Sequence, residues 1–123
     1  ISDALRAVLN KNIDLFFTSG DNTVSTAIET VATFLQEHQI PYITNTFSDV
    51  ENGALLSVGA DYSEVGRETA KMACKVLSGK HPKDLPINNY VPEKMYLNLA
   101  LAKEYGIDVP ASFIEKMAKV KEE

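Results

Sequence analysis

The sequence predicts an α/β fold, with parallel-sheet layers and flanking helices. Three observations carry this. An apolar run, Leu15-Phe16-Phe17, stops at the polar turn Ser19-Gly20-Asp21-Asn22-Thr23, and an amphipathic segment starts at once. Short apolar runs suit strands covered on both faces, and helices prefer to start at Ser, Thr, Asn or Asp. A second run, Tyr42-Ile43-Thr44, follows that segment. Two strands joined by a helix of this length imply a right-handed crossover and parallel pairing. A third run, Ala54–Val58, again leads into a helical pattern.

In chain order, Ser2 is positioned to cap a helix over about residues 3–11, with Ala4, Leu5, Val8 and Leu9 inward. Strand Ile13–Phe17 and the Ser19–Thr23 turn come next. One helix over about 23–38 places Val24, Ala27, Ile28, Val31, Ala32 and Leu35 at helical spacing. Ile40-Pro41 breaks it and opens the second strand. Asn45-Thr46-Phe47-Ser48 is a second polar exit, and Asp49–Gly53 a turn before the third strand.

Gly59-Ala60-Asp61-Tyr62 ends that strand. Asp61 followed by Glu64 has the spacing of a capping box for a helix over about 62–78, with Val65, Thr69, Met72, Ala73, Val76 and Leu77 inward. The loop Lys80–Asn89 is rich in Pro and Lys. Tyr96–Leu99 is a further short strand, and a helix over about 99–105 stops at Gly106. Pro110 starts a last helix, which fades into a solvated Lys-Val-Lys-Glu-Glu tail.

Composition narrows the function classes. The 123 residues suffice for one small domain, with 45% hydrophobic and 24% charged residues. The net charge is −5 with no basic patch, so no nucleic-acid partner is expected. The one cysteine, Cys74, excludes an internal disulfide and reads as a small buried filler on a helix's apolar side. His38 and His81 lack ligand spacing to another His or Cys, so no metal site is expected. No run approaches the roughly 20 apolar residues of a membrane span, and no signal peptide is visible. The chain begins at Ile1 directly on a helical pattern, as expected of a fragment cut from something longer.

Ser19, Asp21, Asn22 and Thr23 are the foremost binding candidates, because ligands of open α/β sheets sit outside the carboxyl ends of strands. The same residues also serve as an ordinary helix cap, and the two roles are compatible. Asn45 occupies the matching exit of the second strand, on the same crevice edge. Asp61 is placed to meet a ligand amine and Tyr62 to stack on it, with helix cap and surface aromatic as their structural alternatives. Arg67 is expected to pair with Glu64 or Glu68. No catalytic residue is assigned: Ser19-Gly20 lacks the flanking glycines of a nucleophile elbow, and no Gly-x-Gly-x-x-Gly, Walker or His-Glu-x-x-His motif is present. No cofactor is expected.

The combination Asp14-Leu15-Phe16-Phe17 … Asp21-Asn22-Thr23-Val24, Ile40-Pro41-Tyr42, and Gly53-Ala54-Leu55-Leu56-Ser57-Val58-Gly59-Ala60-Asp61-Tyr62 … Val65-Gly66-Arg67 resembles one protein family. So does the closing segment Tyr96-Leu97-Asn98-Leu99 … Gly106-Ile107 … Pro110-Ala111-Ser112-Phe113-Ile114. The chain is similar to the solute-binding proteins of ATP-binding-cassette importers, in the group with tryptophan- and tyrosine-type binders.

The resemblance implies part of a two-lobed type I periplasmic-binding-protein fold with its ligand between the lobes. Residues 1–52 would belong to the C-terminal lobe. Residues 53–123 would cross to the N-terminal lobe and the hinge, ending in the C-terminal tail. It implies that Asn22 and Thr23 hydrogen-bond the carboxylate end of a small solute, with Asp21 meeting an α-amino group and Asp61-Tyr62 lying in the crossover motif. Ser19-Gly20 departs from the Thr that often precedes Asp-Asn-Thr in the family. The subgroup suggests an aromatic amino acid as ligand and a membrane permease as partner. It also implies an extracytoplasmic location, periplasmic or lipoprotein-anchored. Strand edges left open in a fragment would favour a homodimer. The rival reading is a small-molecule-sensing effector domain of a regulator with a similar fold.

Overall fold

The computed structural model describes residues 2–87 and 91–122. Helix α1 spans Ser2–Leu9, and strand β1, Phe16–Thr18, leads into helix α2, Asn22–Thr26, and helix α3, Ile28–Glu37. Strand β2, Tyr42–Thr44, is followed by a 3-10 turn over Phe47–Val50 and strand β3, Leu56–Ala60. Helix α4, Tyr62–Leu77, a 3-10 turn over Pro82–Asp84, strand β4, Glu93–Asn98, helix α5, Leu99–Glu104, helix α6, Ala111–Ile114, and strand β5, Lys119–Lys121, complete the chain.

The strands form one sheet in the order β1-β2-β3-β4-β5. β1 and β2 run parallel with Thr18 opposite Thr44, and β2 and β3 run parallel with Thr44 opposite Ser57. The expected α/β class and parallel crossovers are thus present. By contact density the chain divides into residues 1–59 with 94–123, and residues 60–93.

In the first unit, α3 buries Ile28, Val31 and Leu35 against Tyr42, Val50, Ala54 and Leu5. A smaller cluster joins Leu55 to Leu101 and Ala102. At about 25 cal/mol per Å² of apolar area, each fully buried Leu or Val contributes about 1.5–3 kcal/mol. These two clusters pack α3 and α5 against the sheet.

Several expectations change. The single helix over 23–38 is two, because Ala27 leaves helical geometry (φ −113°, ψ 21°). The Ser25-Thr26 hydroxyl residues before it are weak helix formers, and Thr26 Oγ1 donates back to the Asn22 carbonyl at 2.7 Å. On α1 only Leu5 is buried; Ala4 and Val8 line a small apolar hollow with Phe16, Val24 and Val31.

The tail is not merely solvated: Val120 pairs with Leu97 in a parallel β4–β5 ladder. Lys119 and Lys121 both reach the Glu51 carboxylate, which supplies the tie that composition did not announce. Glu51 is held below the usual carboxylate range, first by its hydrogen bond from Lys119.

In the second unit α4 has no buried residue, so its expected inward face is open. Its apolar stripe borders a hollow lined by Val65, Met72, Pro86, Val91 and Pro92. Cys74 is accordingly exposed and not a buried filler. Arg67 pairs with Glu64 as expected. Residues 88 and 89 of the expected Pro- and Lys-rich loop lie outside the described residues. No described helix is long and apolar enough to cross a membrane.

Candidate functional site

The carboxyl ends of β1 and β2 are neighbours because Thr18 and Thr44 stand in register. After Thr18 the chain turns at Gly20, whose φ of +75° suits a residue without a Cβ. Asp21 then caps α2: its Oδ1 accepts from Thr23 N at 2.8 Å and Val24 N at 3.0 Å. These two amides are therefore already satisfied by the protein. A ligand approaching this turn would meet the side chains of Ser19, Asn22 and Thr23, all of them exposed.

Asn45 is exposed at the second exit and lies against the first. A Cβ on Gly20 would sit 3.2 Å from Asn45 Oδ1. On the other side the Asn45 carbonyl packs against Gly59 near the end of β3, leaving no room there for a side chain. Sequence spacing placed Asn45 on the same edge as Ser19–Thr23, and in the structure the Asn45 side chain lies against Gly20 of that turn. Beside Gly59, the rings of Phe47 and Tyr96 stack with centroids 4.6 Å apart.

Asp61 and Tyr62 belong to the second unit. Asp61 is buried and caps α4, its Oδ1 accepting from Ser63 N at 3.1 Å and Glu64 N at 3.3 Å. Its own amide donates to the Pro92 carbonyl at 2.7 Å. Tyr62 is 80% exposed. The expected cap is present, although Glu64 turns to Arg67 rather than completing a reciprocal box.

Beneath the two exits lies a polar network that the sequence reading did not single out. Thr44 Oγ1 donates to Asp49 Oδ2 at 2.8 Å, and Tyr42 Oη donates to the same oxygen at 3.2 Å. Tyr42 Oη also bonds Thr18 Oγ1 at 2.7 Å, and Thr46 N donates to Thr44 Oγ1 at 3.1 Å. Tyr42, Thr44 and Asp49 are each at most 4% exposed. Burial, the largest cause, pushes the Tyr42 hydroxyl above the ordinary tyrosine range. The signal available in the sequence was a threonine closing both strands.

Ser57, opposite Thr44 on β3, continues the row of hydroxyls. Its Oγ is fully buried with no hydrogen-bond partner among the described residues. No cluster of three or more His, Cys, Asp or Glu able to hold a metal occurs among the described residues.

Comparison with known proteins bears on what such a site does. The family model for "ABC transporter substrate binding protein" matches residues 2–121. A tyrosine-binding protein of Clostridioides difficile (strain R20291) is 28% identical over 98 residues, covering 80% of this chain and 28% of its own length. A Streptococcus pneumonia structure described as an ABC domain in complex with L-Trp is 32% identical with a TM-score of 0.68. It aligns over 92% of this chain and 38% of that one. The ligand-free, open structure of a substrate binding protein with adhesive properties from Clostridium difficile is 28% identical with a TM-score of 0.78. It aligns over 98% of this chain and 40% of that one. The chain thus spans well under half the length of these relatives. A match along nearly the whole chain, together with the shared parallel-sheet architecture, places this chain in the ABC transporter substrate binding protein family.

Proposed function

We propose that this chain supplies part of the extracytoplasmic solute-binding component of an ABC importer, and that it binds a solute without transforming it. In this reading residues 1–52 contribute to the C-terminal lobe, and residues 53–123 to the crossover, hinge and tail. The lobes close on a small solute and present the closed form to a membrane permease. The observation that carries the reading is the juxtaposition of the Ser19–Thr23 turn with Asn45 across the side-chain-free Gly20. These are polar, exposed groups at the carboxyl edge of a parallel sheet, where α/β folds take their ligands.

The relatives, one named for tyrosine and one solved with L-Trp, support an aromatic amino acid as the ligand. An aromatic amino acid has a carboxylate for Ser19, Asn22 and Thr23 and an ammonium for Asp21. Asp61 and Tyr62 are assigned to the same ligand from the crossover. No nucleic acid takes part, in keeping with a net charge of −5. A homodimer of this chain on its own, formed through open strand edges, is a separate expectation that light scattering checks.

The test of the binding reading is calorimetric titration of L-Trp and L-Tyr into the complete two-lobed protein carrying this chain. Saturable binding, each amino acid competing with the other, is the expected result. Binding of some other small solute in a panel would remove the aromatic assignment alone. Binding of no solute would overturn the reading.

A further inference from the structure

We propose that Asp49 is a positioning residue for the ligand-facing edge, its buried carboxylate holding the exits of β1 and β2 in one fixed arrangement; this rests on the binding role proposed above. The directions of the hydrogen bonds carry the argument. A carboxylate only accepts, so Thr44 and Tyr42 must each spend their one hydroxyl proton on Asp49 Oδ2. Tyr42 Oη is then left to accept from Thr18, at 2.7 Å. Thr44 Oγ1 is likewise left to accept, and it takes the amide of Thr46 at 3.1 Å. One carboxylate thus orients a hydroxyl immediately before Ser19 and an amide immediately after Asn45.

Asp49 is itself anchored by backbone bonds. Its amide donates to the Thr46 carbonyl at 3.1 Å, and its carbonyl accepts from Ala54 N at 2.8 Å. The residue is 4% exposed, so water cannot readily replace these partners. Asn45 and the Ser19–Thr23 turn are, by contrast, exposed and carry no apolar anchor of their own. Their geometry is inherited from the network below them.

The experiment compares Thr44→Val, Thr44→Ser and Thr18→Val in the complete protein, by backbone hydrogen exchange and by L-Trp and L-Tyr affinity. Affinity is measured well below each variant's unfolding temperature. Thr44→Val deletes the link between Asp49 and the Thr46 amide. Exchange at Thr46 is expected to quicken about tenfold and affinity to fall about tenfold, the size of one lost buried hydrogen bond. Exchange in α3 should stay unchanged. Thr44→Ser restores the hydroxyl and should restore both readouts. Thr18→Val, at the partly exposed end of the network, keeps the measurement open if Thr44→Val does not fold.

A lowered unfolding temperature with local exchange at the exits and affinity both unchanged would reduce Asp49 to a stability role and overturn the proposal. If the parent binds no solute, the binding reading fails separately. Exchange at Thr46 and at the Ser19–Thr23 turn then decides by itself whether Asp49 orders the exits.

Discussion

The backbone carbonyl of Asn45 packs so tightly on Gly59 that a Cβ at residue 59 would overlap it. The backbone of Gly59 does not lie in the left-handed region, so conformational freedom is not why glycine is needed there. Close approach of two backbones is. Gly59→Ala must therefore move β3 away from the Asn45 exit. We expect a loss of about 2 kcal/mol, typical of overpacking against an unyielding neighbour. Urea unfolding measures it, and amide chemical shifts at residues 44–46 should change with it. Wild-type stability together with unshifted amides would contradict the close approach.

Gly20 faces the same asparagine from the other side, and its requirement is different. Its φ of +75° penalises any side chain, whereas the nearest atom to an added Cβ is the far end of the flexible Asn45 side chain, 3.2 Å away. Backbone strain should dominate, and Gly20→Ala is expected to cost about 1 kcal/mol. Gly20→Asn should cost less, because asparagine tolerates the left-handed region. Equal losses for the two variants, by thermal unfolding, would point to crowding instead.

These two glycines mark the limit of what could be read from sequence. Periodicity found α3, because Val31, Ala32 and Leu35 bury at helical spacing. Polar strand exits pointed to Ser19–Thr23 and Asn45, whose proximity the register of β1 and β2 then supplies. The break at Ala27 escaped because both halves keep the same apolar phase. The β5 strand escaped because Lys-Val-Lys looks solvated until Glu51, far away in sequence, is seen between its lysines. Asp49 escaped for a similar reason: an aspartate in a polar turn gives no sign that two strand-end hydroxyls converge on it.

Asp21 carries a structural and a proposed binding role, and substitution can separate them. Its Oδ1 accepts two amides of α2. Asp21→Ala should lose the cap, costing about 1 kcal/mol, while Asn caps nearly as well as Asp. Asp21→Asn should therefore keep the melting temperature and still weaken amino-acid binding, if the carboxylate meets the α-ammonium. Unchanged affinity in Asp21→Asn would leave Asp21 as a cap alone.

Ser57 has a buried hydroxyl that finds no partner among the described residues. Leaving a hydroxyl unsatisfied costs about 1–3 kcal/mol, whereas replacing it by hydrogen leaves only a small void. Ser57→Ala is expected to unfold at the same or a higher urea concentration than the parent. A clear loss of stability would reveal an acceptor or a buried water serving that hydroxyl.

The Tyr42 hydroxyl ties the network to alkaline stability. Burial raises its pKa above the unfolded value, and the Asp49 charge adds to the rise, while the hydrogen bond with Thr18 opposes it. The folded state thus holds the tyrosine proton more tightly than the unfolded chain does. That contribution is fully present below the unfolded pKa of about 10 and is lost as pH rises through the folded pKa. Urea midpoints should therefore drop steeply above about pH 10. Tyr42→Phe should flatten this drop without abolishing it, since burial also raises the pKa of Tyr105. At neutral pH the same variant leaves Thr18 and Asp49 short of a partner and should lose about 1–2 kcal/mol. An equally steep alkaline drop in Tyr42→Phe would assign the effect to other groups and detach Tyr42 from it.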